Sequence, residues 1–118
     1  TVGDNGGVNG SGSTYIAYLF SSLAGVSKVG SVSHSGTTNV DCGFSNGARF
    51  VMLKRYDAGS NWFVWDTARG ISSGTDPYLR LNSSNGEITN TDFVDPLSSG
   101  FTITSTFTAG DYIFYAIA

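Results

Sequence analysis

Short apolar and aromatic runs recur along this chain at intervals of roughly 8 to 12 residues, each bounded by Gly, Ser, Asn or Asp; this rhythm points to an all-β fold. The strongest pair is Arg49 to Tyr56 and Trp62 to Thr67, separated by Asp57-Ala58-Gly59-Ser60-Asn61. The first run has an apolar centre with charged ends, the pattern of a central strand whose ends emerge into water. The five residues between are turn formers, so the two runs predict a β-hairpin. Gly, Ser, Thr and Asn make up 53 of the 118 residues, while the strong helix formers Leu, Lys and Glu are scarce. Aromatic residues at 14% argue against disorder, because each buries enough apolar area to offset chain entropy.

Other expected strands are Tyr15 to Phe20, Lys28 to Ser33, Asn39 to Phe44, Tyr78 to Asn82, Ile88 to Val94, Phe101 to Thr108 and Asp111 to Ala118. Tyr15 to Phe20 is apolar throughout and reads as a strand buried on both faces. Lys28 to Ser33 and Asn39 to Phe44 flank the turn-like His34-Ser35-Gly36-Thr37, which suggests a second hairpin. Phe101 to Thr108 has Thr at every even position and predicts one solvated face. The closing run lacks a polar tail, so it is expected to lie inside a sheet or a subunit interface rather than at an open edge. Tyr15-Ile16-Ala17-Tyr18 echoes Tyr112-Ile113-Phe114-Tyr115, which suggests that the two runs lie side by side and bring the ends of the chain together. The expectation is a single-domain antiparallel β-sandwich or jelly-roll-like barrel of about eight or nine short strands over residues 13–118. A flexible Gly- and Asn-rich lead-in is expected over residues 1–12. Thr at position 1, in place of Met, suggests that the chain was cut from something longer.

Several functional classes are disfavoured. Nine acidic and six basic residues give a net charge of -3 with no basic stripe, so nucleic acid is not expected as a partner. No run approaches the roughly 20 apolar residues of a membrane span, and no membrane insertion is expected. Cys42 is the single cysteine and His34 the single histidine, so neither a disulfide within the chain nor a metal site is expected. No cofactor is indicated, and His34 reads as structural or surface. No Gly-x-Ser-x-Gly elbow surrounds a serine.

The candidate ligand-binding residues cluster around the Trp hairpin: Tyr56, Asp57, Asn61, Trp62, Arg69, Asp76 and Tyr78. An aromatic face with Asp, Asn and Arg around it suits a sugar, whose ring has an apolar side and whose hydroxyls need partners when water leaves. Trp62 and Trp65 point to opposite sides of a strand, so at least one belongs in the core. Glycoside hydrolysis needs two carboxylates about 5 to 9 Å apart. Asp57, Asp66 and Asp76 are the candidates for a polysaccharide depolymerase, although Asp57 and Asp66 are better placed to pair with Arg55 and Arg69. Ala68 to Pro77 is a long loop of the kind that often carries function.

The strings Gly-Ser-Thr-Tyr-Ile-Ala-Tyr-Leu-Phe (12–20), Val-Asp-Cys-Gly-Phe (40–44), Arg-Phe-Val-Met-Leu-Lys-Arg (49–55), Trp-Asp-Thr-Ala-Arg-Gly (65–70), Leu-Arg-Leu-Asn (79–82) and the closing Tyr-Ile-Phe-Tyr-Ala-Ile-Ala resemble one family. It is the C-terminal domain of tail-fibre and tail-appendage proteins of marine bacteriophages, including cyanophages. The resemblance covers residues 9–118 and is specific to family rather than to ligand. It implies a virion structural protein at the distal end of the tail fibre, acting extracellularly in host adsorption. The implied partner is a host cell-surface glycan or an outer-membrane protein, and the implied assembly is a homotrimer. No catalytic motif carries over. A depolymerase or a purely structural trimerisation or decoration module are the alternatives.

Overall fold

The computed structural model describes residues 6–118. Residues 1–5 of the expected lead-in lie outside the described residues; Gly6–Asn9 forms a single helical turn, α1. The described residues contain eight strands: β1 (Ser27–His34), β2 (Thr38–Asp41), β3 (Phe50–Arg55), β4 (Trp62–Asp66), β5 (Leu79–Arg80), β6 (Val94–Leu97), β7 (Gly100–Ile103) and β8 (Gly110–Ile117). They form a five-stranded sheet in the order β1-β8-β3-β4-β5 and a three-stranded sheet in the order β2-β7-β6. Every pairing is antiparallel, so the fold is an all-β sandwich.

Cross-strand pairing fixes which side chains share a face. Leu53 lies opposite Phe63 and Phe114, and Val51 opposite Trp65 and Ala116; this set turns inward. Val40, Val94, Phe101 and Ile103 of the smaller sheet meet it, and Phe101 and Phe114 make an edge-to-face contact across the layers at 5.6 Å. Phe107 fills one end of the core, with its ring 5.0 to 5.9 Å from those of Phe63, Trp65, Phe93 and Tyr112. The β3–β4 hairpin forms as its sequence predicts. The closing run becomes β8, enclosed between β1 and β3.

Five expectations are corrected. Lys28 to Ser33 and Asn39 to Phe44 do yield β1 and β2, but the strands belong to different sheets and form no hairpin. The chain turns the corner at buried His34, whose Nδ1 meets Thr38 Oγ1 at 2.9 Å and whose Nε2 donates to the Phe107 carbonyl at 3.2 Å. The Thr face expected to be solvated is covered at Thr102 and Thr104. Their hydroxyls donate to Asn39 Oδ1 at 2.8 Å and to the Asp92 carbonyl at 2.7 Å, and β7 ends at Ile103 because 104–107 form a turn. Ile88 to Val94 supplies only the bridge from Ile88 to Tyr78 and the first residue of β6.

Tyr15 to Phe20 is not a strand and is exposed. A strand apolar on both faces needs a layer on each side, and the second layer of this chain is the three-stranded sheet on the other face. Both neighbours of β8 are already in place, so its echo cannot lie beside it. It lies over the outer face instead, with the Phe20 ring packed at a tilt on Tyr115 at 4.5 Å between ring centroids.

Candidate functional site: an aromatic groove on the outer sheet face

Four of the seven candidate residues gather at the turn end of the β3–β4 hairpin. Arg55 grips Asp57 through two bonds, Nε to Oδ1 at 2.6 Å and Nη2 to Oδ2 at 2.9 Å. A fork of this kind fixes both side chains geometrically. The hydrogen bond from Arg55 holds the Asp57 carboxyl down at about 2 and raises the Arg55 guanidinium pKa in turn. A carboxyl-carbon NMR titration is therefore expected to show Asp57 ionised until about pH 2. Its small stabilising contribution is present above the ordinary aspartate range and is lost as pH falls through the folded value. A midpoint near 4 would show that the fork does not persist in solution.

Next to this fork, Asn82 ties two segments together. Its Oδ1 accepts from the Trp62 backbone N–H at 2.9 Å, and its Nδ2 donates to Asn61 Oδ1 at 3.2 Å. Trp62 is thereby held at the start of β4 while its side chain stays 36% exposed, whereas Trp65, three residues on, is fully buried. Tyr56 is exposed beside the turn. Lys54 lies opposite Trp62, and its Nζ donates to the Ser60 carbonyl at 2.9 Å.

The outer face runs from here across the sheet. Met52 lies opposite Tyr115, which lies opposite Val29, so this face is apolar as well as the inner one. Tyr18 and Phe20 rise over it from the segment that precedes β1. The result is a groove of about 330 Å³ walled by Tyr18, Phe20, Met52, Lys54, Trp62 and Tyr115. Of the seven candidates only Trp62 lines it. Tyr18, Phe20, Met52 and Tyr115 are outside the candidate set because each reads as core in a local window. The alternation of Met52 and Lys54 along β3 is the one signal that placed an apolar side chain on the face shared with a charge.

The other three candidates lie elsewhere. Arg69 stands beyond the far end of β4, about 13 Å of strand away from Trp62. It pairs with both Asp66 and Glu87 there, the latter at 3.0 Å. Asp76 is fully buried and Tyr78 is 3% exposed, so neither faces this surface. Asp76 accepts from the Ser72 and Val94 backbone N–H groups and anchors the long loop. Tyr78 packs in the core, 5.5 Å from Phe63 and 5.7 Å from Trp65. Both pairings expected of the acids flanking the hairpin are present, Arg55 with Asp57 and Arg69 with Asp66. Among the described residues no group of three His, Cys, Asp or Glu stands where it could hold a metal ion.

Fold and surface together define a two-layer antiparallel β-sandwich with one aromatic groove on its larger sheet. The chain belongs to the family described as a domain of unknown function, DUF7483, which matches residues 1–118. No curated protein and no solved structure matches it.

Proposed function

We propose that this chain is the distal recognition domain of a bacteriophage tail fibre, a non-catalytic homotrimeric part of the virion that binds a glycan on the host surface. The tail-fibre and homotrimer parts rest on the resemblance of the strings at 12–20, 40–44, 49–55, 65–70, 79–82 and the closing strand. The glycan part is carried by the groove at Trp62. Its 330 Å³ suits one or two sugar rings, and a flat protein epitope would need an area far larger than this groove offers. Trp62 offers an aromatic face for the apolar side of a ring, and Lys54, Asn61 and Asn82 stand within its neighbourhood as hydrogen-bonding groups for hydroxyls.

The state of the carboxylates favours binding over hydrolysis. A glycosidase needs one acid to protonate the leaving oxygen and a second to attack or to activate water. Asp57 is held by Arg55, Asp66 by Arg69, and Asp76 is buried beneath the loop it anchors.

Trp62→Ala is expected to weaken binding of the isolated domain to host cells or to a glycan array about thirtyfold. Arg69→Ala, at the far end of the sheet, is expected to leave binding unchanged. Equal binding by Trp62→Ala and wild type would remove the groove from the reading. A domain that neither binds host cells nor blocks adsorption would make it a structural virion module, and release of reducing sugar would make it a depolymerase.

A further inference from the structure

Among the described residues, two parts of this chain leave backbone groups unpaired and fit one another. The first is the outer edge of β1. Successive residues of an antiparallel strand direct their backbone N–H and C=O alternately toward one neighbour and away from it. Ser27 exchanges both of its bonds with Leu23, each at 2.9 Å, and the Val29 N–H meets Ser22 Oγ at 3.1 Å. The odd-numbered residues of β1 therefore face away from β8. Ser31 and Ser33 share that direction, and among the described residues nothing bonds to their backbone N–H or C=O.

The second is the run Ile16 to Phe20. Ile16 and Tyr18 are each 82% exposed and Leu19 is 89% exposed. Among the described residues the backbone of 16–20 makes no backbone hydrogen bond. Its composition is that of a strand, and together with Tyr15 it repeats the Tyr-Ile-x-Tyr pattern of β8, which is enclosed between β1 and β3. Several large apolar side chains left in water within one short run are the kind of exposure that marks interaction surfaces on soluble proteins.

The chain itself encodes how the two parts align. Gly25, at a φ of 70°, turns the backbone so that Leu23 bridges Ser27 in antiparallel register. Continued, that register sets Leu19 opposite Ser31 and Ala17 opposite Ser33. Within one chain it stops after a single pair. Ser22 Oγ occupies the Val29 N–H, and Phe20 leaves the edge to pack on Tyr115.

We propose that residues 16–21 of one copy add as an edge strand to Ser31 and Ser33 of a second copy, in the antiparallel register that Leu23 and Ser27 begin. Each contact then closes an open sheet edge and buries the apolar run at once, and a second copy supplies both halves of the fit. This inference concerns assembly and shares a segment with the groove, which Tyr18 and Phe20 of the same run help to wall; Leu19 and Ser31, the residues that test it, do not line the groove.

Light scattering on the 118-residue chain is expected to give a multiple of 12.4 kDa, falling two- to threefold to 12.4 kDa in Ser31→Pro, which removes the outward N–H at an edge where proline is tolerated. Leu19→Lys, which leaves β1 intact, is expected to do the same, so misfolding of one variant does not decide the matter. Mixing the single variants Leu19→Cys and Ser31→Cys is expected to yield a disulfide between the two different chains. Trp62→Ala is expected to keep the wild-type mass. A monomeric wild type, folded Ser31→Pro and Leu19→Lys variants that stay assembled, or a mixture without the mixed disulfide would each overturn the proposal.

Discussion

Gly100→Ala is expected to cost about 3 kcal/mol or more of unfolding free energy, seen as a large fall in the urea midpoint at unchanged slope. Gly100 opens β7 between Asp41 of β2 and Leu97 of β6. A methyl group there would run into the Val40 carbonyl oxygen, with Cys42 N at 3.0 Å and Cys42 Sγ at 3.2 Å behind it. The obstacle is backbone, and that backbone is committed. Cys42 and Phe44 donate to the Ser99 carbonyl at 2.8 and 3.1 Å, Gly47 to Ser98 at 2.7 Å and Ala48 to Gly100 at 2.8 Å. Moving β2 aside to admit the methyl would break several of these bonds and open the core at Val40 and Phe101. Gly59→Ala is the control: its added methyl meets nothing within 4 Å, and it is expected to be neutral or slightly stabilising. A Gly100→Ala protein that unfolds with wild-type stability would show that the two strands do not approach this closely.

The contrast between Gly100 and the β3–β4 hairpin shows where sequence reading reaches its limit. Turn residues between two adjacent apolar runs specify a local pairing, so Arg49 to Thr67 is legible without any other part of the chain. The separation of Trp62 from Trp65 is equally local, since three residues along a strand put side chains on opposite faces. Which face meets water is a global matter. Thr102 and Thr104 alternate as a solvated face should, yet they are covered because Asn39 arrives from 63 positions away and the Asp92 carbonyl from 12, outside the strand itself. Close approach of Gly100 to Val40 depends on a pairing across 60 positions and has no local signature. The groove has no local signature for the same reason: both faces of β3 and β8 are apolar, and nothing in a window of ten residues says that only one has a second sheet over it. Tyr15 to Phe20 reads as core from its hydrophobicity, yet it is exposed, and that mismatch is what the proposed second copy would resolve.

Asp76→Ala is expected to cost about 3 kcal/mol, although the residue reads from sequence as a surface ligand contact. Its carboxylate sits fully buried where Ser72 N donates to Oδ1 at 2.9 Å and Val94 N donates to Oδ2 at 3.1 Å. Truncation would leave both donors without a partner, one at the start of β6 and one in the loop that Asp76 ties down. Asp76→Asn keeps the shape but offers one oxygen where the carboxylate offers two, so its cost is expected to be smaller. The two substitutions also differ from wild type in their response to pH. Burial raises the Asp76 pKa, against the opposing pull of the backbone N–H groups that bond to it, while Asp92 nearby adds to the rise. A raised folded value means that the unfolded chain gives up its proton first as pH increases. The contribution of Asp76 linked to this shift is therefore complete below the ordinary aspartate range and declines until pH passes the folded value. Urea midpoints measured from about pH 3 to about pH 8 are expected to show wild type losing part of its advantage over Asp76→Asn across that window. A difference that stays constant with pH would mean that the carboxyl is ionised in the fold as readily as in water. Wild-type stability in Asp76→Ala would mean that the loop is held by something other than these two bonds.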